Sequence, residues 1–519
     1  MRINVIGAGP SGLYFSILMK KLDPTHQITV IERDGPNDTF GWGIVFSEET
    51  FNFLKESDPE TYRDITAACQ TWDDVVIGHR GERVRVAGNH FSGIARLAFL
   101  QILHRRCREL GVELRFHTNV PTGERVLELA DCDLLVGGDG AKSLVRQTYD
   151  GFFCPSVDLR HNKFIWLGTN QLFDGLYMIF QPAEVGLFIA HAYRFNPTTS
   201  TFIVECPVET WERAGFANLS DDETCAYLAR VFEADLSGKP LLANNFVRWL
   251  NFPLVKNKSW SHKNVVLLGD ALHTAHFSIG SGTKLALEDA IALASCFEKK
   301  QRVPEWLAAF ERVRKPVVEK FQTAALHSLT WLENVQEYLA LEPVPFAYKL
   351  MTRSRRVSYR RIERGDPAFI ARYQEWRARQ PAAGAIPAEY LDLFQKPTFA
   401  HLATLMPDGT PHVTSVWVDY DGKHILVNSA RGRQKDRNIE KRPEVAIEIP
   451  DPENPNRYLA VRGPVVAITE EGANAHLNQL ARRYLNREEY PASMRLPGEV
   501  RRIYKILPKK VTVWDPFGR

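Results

Sequence analysis

Apolar positions change period twice within the first 33 residues. Ile3, Val5 and Ile6 fall in a short run that predicts a buried strand. Leu13, Ile17, Leu18 and Leu22 then recur at helical spacing and predict a helix from about Ser11. Residues 27–31 return to a short apolar run, a second strand, which ends in Glu32 and Arg33. Between strand and helix stand Gly7, Gly9 and Gly12 in G-x-G-x-x-G spacing, with Pro10 and Ser11 among them. In that arrangement Gly7 permits a tight turn, Gly9 lets backbone approach a pyrophosphate, and Gly12 lets the helix pack on the strand. The helix N-terminus then faces the phosphates, and Glu32 can accept from a ribose hydroxyl. A dinucleotide site is expected here; the alternative is a βαβ turn with a structural role only.

The same punctuation continues down the chain. Residues 40–46 set glycines beside bulky apolar side chains, with Trp42, Gly43 and Ile44 in sequence. That suits either backbone passing close to a flat ring or a tight turn over a buried tryptophan. The spacing of Ile94, Leu97, Leu100 and Leu103 predicts a helix over 92–110, stopped by Gly111 and followed by a strand at 112–116. Arg96, in its first turns, is placed to reach phosphate or water. Residues 131–146 predict a buried strand running into Gly137, Gly138, Asp139 and Gly140, then a helix near Ser143. Asp139 could receive a hydroxyl of a bound cofactor or cap that helix. From 163 to 205, four strand-like runs rich in aromatic and β-branched residues predict a mostly antiparallel sheet. Ser220 to Glu223 reads as a capping box opening a helix to about Phe232. Residues 265–268 predict a strand ending in Gly269 and Asp270, and Gly280 and Gly282 open a helix that carries Thr283 and continues through Asp289. Three strand-end sites, at 7–12, 139–140 and 269–282, exceed what NAD needs and indicate one large, permanently held cofactor.

Composition narrows the class. A chain of 519 residues is too long for one core, so two or three domains are expected. Sixty-five basic against 62 acidic side chains, a net charge of +3, give no argument for nucleic acid or an anionic membrane as partner. The seven cysteines are widely spaced without a C-x-x-C and read as free thiols in a reducing compartment; neither disulfides nor a metal site is expected. No stretch is apolar for long enough to span a bilayer as a helix. A strand beginning at residue 2 leaves no room for a signal peptide, so a cytoplasmic protein is expected.

These residues resemble the FAD-dependent aromatic hydroxylases, the single-component flavoprotein monooxygenases, over about 1–375. The carrying motifs are GAGPSG with Glu32 and Arg33, Gly43–Ile44, Arg96, Gly138–Asp139–Gly140 with Arg146, and Gly269–Asp270 with Gly280, Gly282 and Asp289. Finer stretches, FGWGIVFSEET, KFIWLGT, HTAHFSIGSGTKLALEDA and residues 353–376, look like the salicylyl-CoA 5-hydroxylase and 2-aminobenzoyl-CoA monooxygenase group. Violacein-pathway hydroxylases share several of them. One departure stands out: His276 and Phe277 occupy positions where the wider superfamily commonly has Pro-Pro beside the flavin. The resemblance implies an α/β fold, a Rossmann-like FAD part at about 1–160 and 255–350 with an inserted β-sheet substrate domain at about 161–254. It implies FAD, NADH or NADPH as reductant, and O2 delivered through a flavin hydroperoxide to a small aromatic substrate. An aryl-CoA thioester is the first candidate substrate and an indole-type ring the second. No second G-x-G-x-x-G unit exists, so NAD(P)H is expected to bind transiently. His191, His273 and His276 are candidates for the oxygen or substrate site, His276 first for its place in the Gly269–Asp270 motif. A packed imidazole is the alternative for each.

Residues 351–380 hold nine arginines, no lysine and three acids. They fit either phosphate contacts or a solvated helical face. With the linker-like QPAAGAIP at 380–387 they make an arginine-rich segment and linker over 351–387. Beyond it, residues 388–519 show short apolar runs bounded by hairpin signals at 407–410 and 421–422. About six strands, with helices near 434–442 and 471–485, predict a small closed barrel. This half resembles the pyridoxamine-phosphate-oxidase-like split barrels, in their flavin- or deazaflavin-dependent branch. FAHLATLMPDGTPHVTSVWVDYDG, LVNSARGRQKDRNIEKRPEVAI and DPENPNRYLAVRGPVV carry the likeness. It implies a flavin or deazaflavin reductase, supplying reduced cofactor or reducing the product, with FMN or a deazaflavin whose phosphate is held by Arg431, Lys435, Arg437 and Asn438 and whose ring is lined by Val416, Trp417 and Asn428. The alternative is a barrel that has lost its cofactor and serves as a homodimer contact or substrate gate.

Overall fold

Strand Arg2–Ile6 lies inside a six-stranded sheet ordered Ser261–His262, Val265–Leu267, Leu134–Gly137, Arg2–Ile6, Gln27–Ile31, Glu113–Arg115. It pairs in parallel with Gln27–Ile31 on one side and Leu134–Gly137 on the other, and Val265–Leu267 extends the parallel set. The three glycine-bearing turns predicted from the sequence therefore leave the same ends of three neighbouring strands, where ligands of open parallel sheets bind. The computed structural model describes residues 1–244, 248–298, 302–379, 384–454 and 456–514. The chain divides into two units, Met1–Gln374 and Glu375–Arg519.

Helix Pro10–Leu22 begins with proline at its first turn, where a missing N–H costs nothing. It is buried nearly all round because helices Arg96–Glu109 and Gly282–Cys296 pack on it. The helix expected over 92–110 starts only at Arg96. Phe91–Ala95 is a strand between Gly43–Ser47 and Gln70–Trp72. Gly93 explains the difference: it disfavours a helix start, and a Cβ there would stand 2.5 Å from the Arg194 carbonyl oxygen.

The second sheet of this unit is wider than expected. It begins at Pro155 rather than 161 and takes two earlier strands, Val75–His79 and Glu82–Val86, on its edge. Val75–His79 runs parallel to Leu176–Ala183, while the central pairs are antiparallel. Strand alternation sorts its side chains. Ile165, Leu167, Phe188, Ala190, Phe202 and Val204 turn to a core closed by Leu228 and Phe232 of the capping-box helix. Phe164, Trp166, Met178, His191, Tyr193 and Ile203 turn the other way.

Further along that second face, Phe346, Leu350, Ile362, Phe369 and Ile370 pack on Val75, Val84, Met178 and Ile189. The arginine-rich stretch is thereby part of the first unit through Gln374, not a separate segment: Met351, Ile362, Phe369 and Ile370 are buried, while Arg355, Arg356, Arg360, Arg361, Arg364 and Arg372 stay outward.

In the second unit eight strands, not six, form one sheet around an apolar core. Two expected strands are each broken in two. One divides at Trp417, between Pro411–Val416 and Val418–Tyr420; the other divides around Pro508, which has no N–H for the ladder. Of the expected linker, residues 380–383 lie outside the described residues, and Ile386 already belongs to the barrel core. Among the described residues no helix is long and apolar enough to cross a membrane.

Candidate active site

The strand ends and the outward face of the second sheet enclose a cavity of about 630 Å³. Gly9, Pro10, Ser11, Gly138 and Gly140 form one wall, and Asp270 with residues 280–284 another. Gly7 has φ +102°, and a Cβ on it would stand 2.4 Å from the Gly138 carbonyl oxygen, so two of the glycine turns touch. A Cβ on Gly12 would meet the Gly7 carbonyl oxygen at 2.5 Å, which is the close helix–strand packing expected of this position. Gly9 is different: its nearest neighbour would be 3.8 Å away, and it opens on the cavity. Glu32 lies off the cavity wall and accepts from the Ala8 and Asp34 N–H groups at 2.8 and 3.0 Å. Arg33 is exposed beside Asp34.

Asp139 does not face the cavity. Its carboxylate accepts from the Ser143 hydroxyl and from the Leu144 and Val145 N–H groups, so it caps the following helix. Arg146, buried, donates to Ala271 and Ala141 carbonyls and ties the second glycine turn to the third. Asp289 is also away from the cavity; it is sealed against His273 and Arg314, each at 2.7 Å. Trp42 is another correction: its ring lies over Gly168 of the second sheet, while Gly43 and Ile44 line the cavity.

The cavity keeps polar groups ready for a charged ligand. Arg96 lines it, its buried Nε has no hydrogen-bond partner, and burial pulls the guanidinium down against the attraction of Asp270. Asp270 opens onto the cavity, and burial pushes its carboxyl up despite Arg96. Helix Gly282–Cys296 aims its N-terminus at the same space with no side-chain cap and no acid in its first turn, so its free N–H groups and Thr283 are available to an anion. Cβ atoms at Gly140, Gly280 and Gly282 would meet nothing within 4 Å. An unpartnered buried arginine, an uncapped helix and open glycines fit a phosphate-bearing flavin.

The three histidines separate. His191 lines the cavity, with Nε2 3.3 Å from Glu205. His276, the first choice from sequence, is 2% exposed and not on the cavity wall. Its Nδ1 bonds the Ser278 hydroxyl at 2.8 Å, Phe277 stands in front of it on the wall, and burial pushes it down to about 4. His273 is held by Asp289. Two buried groups went unnoticed in the sequence, Glu205 and Arg314. The signal for Glu205 was an acid inside the otherwise apolar run STFIVEC; for Arg314 the long helix gave none.

Arg356 and Arg361 line the cavity rim, exposed. Arg356 sits over the Phe321 ring at 4.0 Å, and neither has a carboxylate partner among the described residues. Arg353, by contrast, is half-buried and donates to the Ser328 hydroxyl and to the Leu350 and Ser278 carbonyls. It anchors the segment.

In the barrel the four expected phosphate residues do not converge. Arg431 is exposed and faces Glu470 at 3.6 Å. Arg437 turns back onto Gly432 and Gln434, and Asn438 is buried against Thr404. Lys435 alone remains available, 7% exposed and pushed down to about 8 by burial and by Arg433 and Arg501. Arg501 beside it is ion-paired with the buried Glu499 carboxylate at 2.6 Å. Trp417 stacks on Tyr484 at 4.9 Å, Val416 is buried, and Asn428 donates to Ala473.

Comparison with known proteins agrees with this geometry. Residues 1–325 match the family model described as FAD binding domain, and residues 386–515 match the one described as pyridoxamine 5'-phosphate oxidase. The chain is 40% identical to a salicyloyl-CoA 5-hydroxylase of a Streptomyces species, covering 74% of this chain and 76% of the relative. It is 35% identical to the protodeoxyviolaceinate monooxygenase of Chromobacterium violaceum, covering 67% and 92%. The solved structure of 2-methyl-3-hydroxypyridine-5-carboxylic acid oxygenase shares the fold at a TM-score of 0.54 and 18% identity, covering 70% of this chain and 97% of that one. The chain thus belongs to the FAD-binding monooxygenases, FAD-dependent oxidoreductases that hydroxylate an aromatic ring with O2, and carries a split barrel of the pyridoxamine-phosphate-oxidase type after it.

Proposed function

We propose that the substrate is an aromatic acyl thioester of coenzyme A, its ring in the cavity and its phosphates at the rim. The observation that carries this reading is the pair Arg356 and Arg361, exposed at the rim without carboxylate partners among the described residues. Guanidinium groups in that state suit phosphate, and a salicyloyl-CoA hydroxylase is among the relatives. Bound FAD supplies the oxygen chemistry. The chain's own part is to hold it: Arg96, the N-terminus of Gly282–Cys296 and the Gly9 turn offer charge and open backbone. Phe164, Trp166 and Phe277 give the cavity apolar walls that exclude water from the ring. NADH or NADPH acts as a visiting reductant, in keeping with the single G-x-G-x-x-G turn.

The test is binding and NAD(P)H oxidation with salicyloyl-CoA against free salicylate. The thioester is expected to bind at least tenfold more tightly, and Arg356→Ala with Arg361→Ala to remove that advantage. Equal binding of the thioester and the free acid would sink the reading. The 35% identity to protodeoxyviolaceinate monooxygenase favours a second reading, an indole-type ring that needs no phosphate contact; the arginine variants would then leave turnover unchanged.

For the barrel we propose a homodimer contact, supported by exposed Phe399, Val413 and Trp514, with sedimentation of the full chain as its test. Lys435 is the cation among the four expected residues left there for FMN or a deazaflavin, and counting flavins per purified chain decides whether one is bound. Seven free cysteines support a reducing, cytoplasmic location.

A further inference from the structure

The geometry points to a base site built from two strands of the second sheet: His191 takes a proton from a ring hydroxyl or amine of the bound aromatic, and Glu205 is the positioning residue that fixes His191. His191 lies on Gly186–Arg194 and Glu205 on Ser200–Cys206. Register places His191 opposite Ile203 and Glu205 opposite Ile189, so the two are diagonal neighbours on one face. His191 is on the cavity wall, edge-on to Phe277, and Glu205 is behind it, 1% exposed. The carboxylate stands 3.3 Å from His191 Nε2 and accepts from Asn162 Nδ2 at 2.8 Å.

A charged carboxylate sealed inside a sheet is costly unless it is paired. Burial alone would lift Glu205; the hydrogen bonds from His191 and Asn162, with attraction to the neighbouring His276 and His191 rings, hold it below the ordinary carboxylate range. It is thus an anion kept behind a cavity-facing imidazole, the arrangement that fixes a histidine tautomer and stabilises its protonated form. With Nε2 turned to Glu205, Nδ1 is left for the substrate; it has no hydrogen bond among the described residues.

The step balances simply. The substrate O–H or N–H bond breaks, its electron pair stays on the heteroatom and enriches the ring, and the proton moves to Nδ1. The imidazolium then lies against the Glu205 carboxylate. His276, Arg353 and Arg160 are the other ionisable groups around this pair. The proposal rests on the aromatic substrate reading but not on the thioester.

The experiment uses the FAD-loaded full chain without reductant and two phenols, salicyloyl-CoA and 4-nitrophenol, whose ionised forms have distinct absorbance. Titrated from pH 5 to 9, the bound phenol of the wild type is expected to ionise below the free phenol. In Glu205→Gln and in His191→Gln it should ionise at least about one unit higher than in the wild type. In turnover of salicyloyl-CoA, kcat should fall about 100-fold with KM little changed, and Glu205→Asp should recover part of it. Flavin content and absorbance confirm folding; if the amide at 205 prevents it, His191→Gln on the cavity wall carries the test. Ionisation unchanged in both variants overturns the proposal. Binding of 4-nitrophenol alone overturns only the thioester reading and still decides the base site. Failure of both phenols to bind overturns both.

Discussion

His273 Nε2 lies 2.7 Å from a carboxylate oxygen of Asp289, and both side chains are sealed from solvent. Arg314 holds the other oxygen at 2.7 Å. Burial alone would lift the Asp289 carboxyl; attraction and hydrogen bonds from His273 and Arg314 outweigh it and keep the group ionised. Asp289→Asn leaves Arg314 without its full counter-charge. Breaking one side of a buried pair costs about 3–5 kcal/mol, so denaturant unfolding of the variant should show a loss of that order. Flavin binding should fall only as far as the fold does. A variant as stable as the wild type would show the triad to be dispensable.

Gly9 and Gly12 belong to one motif but fail in different ways. A Cβ at 12 meets backbone at 2.5 Å, whereas at 9 the nearest atom is 3.8 Å away and φ is −78°, open to any residue. Gly12→Ala should therefore destabilise the apoprotein. Gly9→Ala should leave apoprotein stability within about 0.5 kcal/mol and weaken FAD, because its Cβ enters the space the cofactor needs. Thermal unfolding of apoprotein beside FAD titration separates the two. Gly9→Ala with undiminished FAD affinity would remove this turn from the cofactor site.

Arg96 is the buried cation whose Nε lacks a partner. A hydrogen bond to a charged group contributes about 1.5–3 kcal/mol. Arg96→Met should then raise the dissociation constant for FAD by about 10- to 100-fold, read from fluorescence of released flavin. The apoprotein should change little in stability, since the hydrogen bond lost is one that only the cofactor supplies.

What the sequence made legible follows from how locally each feature is encoded. The three glycine turns at 7–12, 138–140 and 269–282 were readable because strand end, glycine and helix start are neighbours in the chain. His276 shows the limit of the same reasoning: proximity to a motif does not say which way a side chain turns, and Phe277 takes the wall in its place. His191 reaches the wall through strand parity, which needs the register between Gly186–Arg194 and its neighbours. The two early strands Val75–His79 and Glu82–Val86 join the second sheet from about 100 residues upstream, a pairing no local pattern encodes. Arg356 and Arg361 could be read as an arginine run, but their place at the rim depends on Ile362 and Phe369 packing on the sheet.

His104 gives the pH dependence a defined sign. It is 4% exposed, its Nε2 has no partner, its ring meets Phe116 edge-on, and burial first, then the charge of Arg108, push it down to about 4. An unfolded histidine titrates near 6.5. Between these values the unfolded chain holds the proton and the folded chain does not, so stability rises with pH across the window. The contribution is full above about 6.5 and is lost as pH falls toward 4, amounting to about 3 kcal/mol at 1.36 kcal/mol per unit. His276, also pushed to about 4 by burial, adds a parallel share. His104→Phe keeps the ring contact and removes the buried nitrogen. Its unfolding free energy, measured from pH 7.5 to 4.5, should fall with about half the wild-type slope attributable to these two groups. An unchanged slope would mean that His104 is protonated in the folded chain as readily as in the unfolded one.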